Sequence, residues 1–426
     1  MNKYTALGSE VDKEIQKQLD IVAEEINKDI HDVKSIIVYG GFGRGEGSVK
    51  RVNEKYYPAN DFDVYVITEK KADGALLDNI AKRVAQRLGS KGIEFNKFDK
   101  NWSFEDNFYL DLKCLTLDEL KKLVPMIRYY ELRNSSNVFY GEDVRNLIPD
   151  YKTEEIPLGD GFRVLFNRMT HLVEYFSTEG KHNDVVLGFF CAKAYIDSCT
   201  ALMLLNKKYS PFYKKRMEDF YECYKRDFPD LYKKLPDLHE KIKKYTLWKL
   251  NYNGRAPEED VIKFWMQTRK DFLEVAKYFI SRFTRKEIKN IDDLSNAVIN
   301  LGKEHYLPYS RYFLKNEFGI KSRFLALVVS KLIPIRFKQL YFFRLMKERK
   351  FYPRILLNKR SPDVIIFGSA PYILFGLNEN LTIENDNFLK GLKTLRKVYP
   401  SKAKTWEELS QDYSDAYVLF YLMKIV

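Results

Sequence analysis

Residues 38–67 read VYGGFGRGEGSVKRVNEKYYPANDFDVYVI. An apolar run, S-I-I-V-Y at 35–39, ends on Gly40-Gly41, and a second apolar run opens with Asp61 and Asp63. Alternate residues of a strand point to one face, so the two aspartates project together while Phe62 turns into the core. Two carboxylates this close repel unless a positive charge lies between them. The glycine turn offers the complementary half: without a Cβ, its backbone N–H groups can approach a phosphate closely. Arg44 on the same turn can pair with a triphosphate.

Helical periodicity over 9–30 precedes this stretch, and a helix over about 74–89 follows it. The runs I-E-F-N-K-F (93–98) and N-F-Y-L-D-L-K-C-L (107–115) alternate as strands do. The order α-β-β-α-β-β predicts a mixed sheet with helices. Asp111 lies on the last of these strands, and beside the D-x-D strand it points at the same place. Three carboxylates around divalent cations make a clamp for in-line phosphoryl or nucleotidyl transfer, with Mg²⁺ (Mn²⁺ as the alternative) bound by Asp61, Asp63 and Asp111. Asp111, free of the triphosphate, is the candidate to help deprotonate an acceptor hydroxyl.

The run Gly40-Gly41-Phe42-Gly43-Arg44-Gly45-Glu46, followed by Asn60-Asp61-Phe62-Asp63-Val64-Tyr65-Val66, resembles the signature of the polymerase β-like nucleotidyltransferase superfamily over about residues 30–150. There a glycine turn precedes an acid-hydrophobic-acid strand, and a third acid follows on a later strand. The resemblance implies that Gly40 and Gly41 hold phosphate, that Asp61 and Asp63 are metal ligands and that Asp111 is the third acid. It implies a Mg²⁺-dependent enzyme that moves a nucleoside monophosphate from an NTP to an acceptor hydroxyl. Y-G-E-D-V-R (140–145) is similar to a segment of small-molecule nucleotidyltransferases, and a layout of one core and one helical bundle fits a small or glycan-type acceptor. Two features depart from the pattern. Glycine stands at 41 where many members carry serine, and 20 residues separate Gly41 from Asp61, with SVKRVNEKYYPA reading as an insertion.

Beyond Pro149 the pattern becomes helical, with amphipathic segments over 159–178, 184–206, 209–225, 229–247 and 258–283. The expected class is therefore α+β: a nucleotidyltransferase core (1–150), a helical bundle (151–285) and a basic, aromatic-rich helical region (286–426). A helical domain in this superfamily often supplies a basic side chain to the triphosphate. Lys193, on an otherwise apolar helix, is the candidate, and an i,i+4 pair with Asp197 is its plain structural alternative. Tyr209, Tyr213 and Arg216 read either as base or acceptor contacts or as helix surface. His171 reads as a helix-face residue, and no histidine or cysteine spacing suggests zinc.

The chain of 426 residues carries a formal charge of +13, with 45% hydrophobic residues and 30 each of Tyr and Phe. Nearly all of that charge lies in 301–360, where 15 Lys and Arg face 3 Glu, giving +12, among 12 aromatic residues. Such a segment can bind RNA, lie on an anionic membrane, or be a solvated helical face. Its apolar run from Phe324 to Phe343 is interrupted by Lys331, Pro334, Arg336 and Lys338, so no spanning helix is expected there. The expected location is the cytoplasm, peripheral to the membrane if the basic segment binds it. The competing reading of the whole chain is a non-catalytic nucleotide sensor associated with RNA or membrane, or a transferase acting on RNA or protein.

Overall fold

The computed structural model describes residues 3–52, 54–59, 61–89 and 109–421. The expected strand over 93–98 lies outside the described residues. Four strands form the sheet, β1 (Val33–Tyr39), β4 (Asp61–Thr68), β5 (Tyr109–Thr116) and β6 (Asn137–Gly141). Their order is β5-β4-β1-β6, with β2 (Val49–Val52) and β3 (Lys55–Pro58) paired separately as a hairpin. β1 runs antiparallel to both its neighbours, and β4 runs parallel to β5. A parallel pair needs a crossover, and the helix Gly74–Arg87 lies on it.

Alternation along β4 divides its residues between two layers. Phe62, Val64 and Val66 join Ile36 and Val38 beneath the helices Ser9–Asp29 and Gly74–Arg87. Tyr65 and Ile67 join Ile37 and Tyr39 under a second layer that contains Leu120, Leu123, Tyr129, Leu132 and Ile148. Asp61 and Asp63 have the parity of Tyr65, so they open on this second side. The presumed insertion between Gly41 and Asp61 folds as the β2–β3 hairpin. It is tied to the first helix by Gln18 Nε2 donating to the Tyr56 carbonyl at 2.6 Å and Tyr56 N–H donating to Glu14 at 2.7 Å.

A large helical region follows, so the class is α+β as expected. The segment 229–247, which reads as one helix, is two: Pro229–Lys234 and Leu238–Leu250. Pro236 cannot donate a backbone hydrogen bond and disfavours helix in the residue before it, which accounts for the break. One apolar cluster runs from Phe162 to Leu419, across residue 285. Helix Asp184–Leu205 is the one described helix long and apolar enough to cross a membrane, but 89% of its apolar window is buried in the protein. All four cysteines are free and buried.

Candidate active site

A cavity of about 420 Å³ lies between the sheet and the helical region. The glycine turn, Asp61, Asp63 and Asp111 line one side of it, and Lys193, Tyr209, Tyr213, Arg216 and Lys249 line the other.

Strand register sets the acids. Asp63 pairs with Tyr39 on β1 and with Asp111 on β5, and Asp61 pairs with Tyr109. Asp63 and Asp111 are thus immediate neighbours, at the ~4.8 Å spacing of adjacent strands. Burial, followed by the charges of Asp61 and Asp111, pushes the Asp63 carboxyl up to about 8 against the opposing pull of Lys113 and Arg44. At Asp63, therefore, negative charge exceeds what the surroundings neutralise. A divalent cation at Asp61 and Asp63 fits that deficit.

Asp111 is differently placed, because its carboxylate is engaged by the Lys113 ammonium. Lys113 also reaches the Tyr39 hydroxyl at 3.1 Å. Burial is the largest single influence and works against its charge, but Asp111, Tyr65 and Asp63 together outweigh it and hold the pKa above the ordinary lysine value. Among the described residues, no group of three His, Cys, Asp or Glu is arranged to hold a metal. The set that fits a cation is Asp61 and Asp63, with Asp111 beside it as an acid already paired.

The glycine turn is a short helical turn, Gly40–Gly43, entered directly from β1. Gly40 has φ +66°, and a Cβ there would lie 2.4 Å from Asp63 Oδ2. Only glycine satisfies both the left-handed backbone and the close approach to the acid. Gly41 differs: the nearest neighbours of a Cβ lie 3.5 Å away, so the missing serine of the superfamily pattern would be accommodated sterically.

Arg44 lines the cavity, but its guanidinium is already engaged. It donates to Glu131 at 2.6 Å and to Glu46 at 3.4 Å, and it lies 4.5 Å from the Tyr213 ring centroid. Glu46 in turn accepts from the backbone N–H groups of Tyr213 and Lys214 at 2.8 and 3.0 Å, capping the helix Tyr213–Asp227. Tyr209 donates to the other oxygen of Glu131 at 2.5 Å. This network ties the glycine turn to the helical region.

The pairing proposed for Lys193 with Asp197 is not the one formed. Asp197 accepts from Arg168 Nε at 2.7 Å, and Lys193 has no ion-pair partner among the described residues. Lys249 is a site residue that sequence reasoning missed. It is buried at the end of Leu238–Leu250, donates to Ser48 Oγ at 3.1 Å and lies 4.9 Å from the Tyr213 ring. Burial is the main cause that brings its ammonium down to about 8, with Lys193 and Arg44 adding to the effect and Tyr213 opposing it. Burial would raise the Tyr213 phenol, but Lys193, Arg44 and Lys249 together bring it below its ordinary value. With Arg216, whose guanidinium lies 5.0 Å from the ring centroid, four cations converge on Tyr213. Arg128, also missed, lines the cavity with its Nε buried and without a hydrogen-bond partner among the described residues. Tyr209, Tyr213 and Arg216 form cavity wall rather than outer helix surface. His171 is half-buried and stacked on Phe190 with centroids 4.6 Å apart, and loss of solvent around its ring drives its pKa well below the ordinary value.

One of these residues was within reach of the sequence. The i,i+2 reasoning that pairs Asp61 with Asp63 also places Lys113 beside Asp111. Lys249 carried no comparable signal, since it follows Lys241, Lys243 and Lys244 on one amphipathic helix.

No family model and no curated protein sequence matches the chain. Among solved structures it is similar to spectinomycin adenyltransferase AAD(9) from Enterococcus faecialis, crystallised with ATP and spectinomycin. The identity is 14% and the TM-score 0.35, covering 60% of this chain and 98% of that one. A likeness at that level carries no weight for the chemistry of this site.

Proposed function

We propose that the chain is a nucleotidyltransferase that moves a nucleoside monophosphate from an NTP to a hydroxyl of a small or glycan-type acceptor, releasing pyrophosphate. The observation that carries this reading is the in-register row Tyr39, Asp63 and Asp111 beside Gly40, faced across one cavity by Lys193 and Lys249. Acids on one wall and cations on the other suit a substrate whose triphosphate tail is anionic and whose α-phosphate must lie beside the carboxylates.

In this reading Gly40 and Gly41 let the phosphates approach the main chain, and Lys193 and Lys249 bind the β- and γ-phosphates. Arg44 acts from behind them: paired with Glu46 and Glu131, it lends a positive field and holds the two walls together. Mg²⁺, or Mn²⁺ in its place, would be held by Asp61 and Asp63 and would supply Lewis-acid polarisation of the phosphates when bound. The acceptor oxygen attacks the α-phosphorus. The new O–P bond forms as the bond from Pα to the bridging oxygen breaks, and pyrophosphate departs with that oxygen. The hydroxyl proton passes to an Asp111 carboxylate oxygen, and the Lys113 ammonium beside it orients that carboxylate.

A nucleotide sensor without turnover is the second reading, favoured by the Lys113 ammonium seated on Asp111. Pyrophosphate release separates the two. With Mg²⁺, each NTP in turn and small-molecule extract, the transferase reading expects release that vanishes in Asp63→Asn. Saturable NTP binding without release under every combination supports the sensor.

A further inference from the structure

Helix Arg323–Lys347 has two unlike sides. Ala326, Ser330, Tyr341 and Leu345 are buried, and the Tyr341 hydroxyl donates to the Ala416 carbonyl at 3.2 Å. On the opposite side, Leu325, Val328, Leu332, Ile335, Phe343 and Met346 recur at three- and four-residue steps, with Gln339 filling the one gap. Each is between 39% and 57% exposed. At 100° per residue these six fall within an arc of about 80°, and Phe324, 73% exposed, widens it to about 100°, the width of a stripe that normally faces a core. Here it faces outward, and nothing among the described residues covers it. Phe351 and Leu357, 72% and 85% exposed, extend the apolar surface past the helix end.

The stripe has charged borders. Lys331 lies along one edge, and Arg336 and Lys347 lie along the other. All three are exposed, and none is paired with a carboxylate among the described residues. The surrounding segment, 301–360, carries 15 basic against 3 acidic residues, a net +12.

We propose that this helix seats the protein on an anionic lipid bilayer, lying in the plane of the interface with its stripe among the acyl chains and its basic borders at the headgroups. Charge complementarity selects this occupant. A second copy of the chain would bring +12 against +12. RNA would match the basic borders and find the exposed rings of Phe324, Phe343 and Phe351 to stack on, but it would leave the five non-aromatic side chains of the stripe without an apolar partner. A bilayer supplies both an apolar layer and negative charge at the depth each part of the helix requires. The proposal is independent of the catalytic reading.

The test is co-sedimentation of the full chain with phosphatidylcholine vesicles, with and without phosphatidylglycerol, alongside Leu332→Asp/Ile335→Asp and Lys331→Glu/Arg336→Glu. These side chains are exposed, and melting curves unchanged from wild type establish that the variants fold. The expected result is binding to the anionic vesicles that weakens with salt, with partitioning lowered about tenfold or more by either double variant. Leu332→Trp supplies a second readout, a blue-shifted emission on vesicle addition. Absence of partitioning overturns the proposal, as does partitioning insensitive to Leu332→Asp/Ile335→Asp. Self-association or RNA binding abolished by that double variant, without vesicle binding, assigns the face to another partner and overturns it equally.

Discussion

Asp63 on β4 stands in register between Tyr39 on β1 and Asp111 on β5. A carboxylate so placed has an acid as its lateral neighbour and a second acid, Asp61, two residues before it on its own strand. It is an unfavourable place for a negative charge.

The pH dependence of stability follows from that position. Asp63 is raised in the folded protein from the ordinary aspartate value to about 8. Its contribution is fully present below the unfolded value and is lost as pH rises through the folded one. With divalent cations chelated, wild-type stability should decline between about pH 4 and about pH 8 from this residue. Asn at 63 keeps the shape without the charge. At pH 8 in chelator, Asp63→Asn should therefore be the more stable protein, by ~1–3 kcal/mol. Thermal melts across the window check this, and a wild type that gains stability over Asp63→Asn as pH rises would contradict it.

Lys249 predicts a pH dependence of a different quantity. Its ammonium is lowered to about 8, so the charge available to a phosphate falls away as pH rises through that value. Triphosphate affinity should drop over the same range. Lys249→Met keeps the apolar stem and should weaken NTP binding by ~1.4–2.8 kcal/mol, about ten- to hundredfold, and flatten the pH profile. Calorimetric titration at several pH values reads both effects.

The two glycines of the turn should respond in opposite ways. Gly40→Ala adds a Cβ at φ +66° and 2.4 Å from Asp63 Oδ2, so it should displace the acid and cost ~1–3 kcal/mol as well as turnover. Gly41→Ser finds its nearest neighbours 3.5 Å away and should fold with wild-type stability. Urea unfolding of the two variants makes the comparison.

Arg44 separates a structural from a ligand role. Arg44→Ala leaves Glu46 and Glu131 buried without their cation and should cost ~3–5 kcal/mol of stability. Loss of NTP affinity at unchanged stability would instead make Arg44 a direct phosphate ligand.

The sequence made the first wall of the cavity legible and left much of the second obscure. Gly40, Asp61 and Asp63 are legible because a turn and a strand are local, and a period of two fixes which residues share a face. Asp111 could be placed because β5 is an apolar strand of clear alternation. β6 went unread: N-V-F-Y-G is five residues long and half exposed, and its identity comes from pairing with β1. The hairpin of β2 and β3 reads as an insertion because its length is all that the sequence displays, whereas the bond from Lys249 to Ser48 at its base joins residues 201 apart. Lys249 and Arg128 become site residues only when helices distant in sequence close over the sheet. Lys193 was visible because a charge on an apolar helix is costly, but its freedom from Asp197 depended on Arg168, which no spacing links to either.

The most direct test of the catalytic reading is pyrophosphate release by the full chain, with Mg²⁺, each NTP and a small-molecule extract, run beside Asp63→Asn. The account predicts release by the wild type with at least one nucleotide, dependent on the extract, and none by a folded Asp63→Asn. Release that survives Asp63→Asn, or none from folded wild-type protein with any nucleotide, would contradict it.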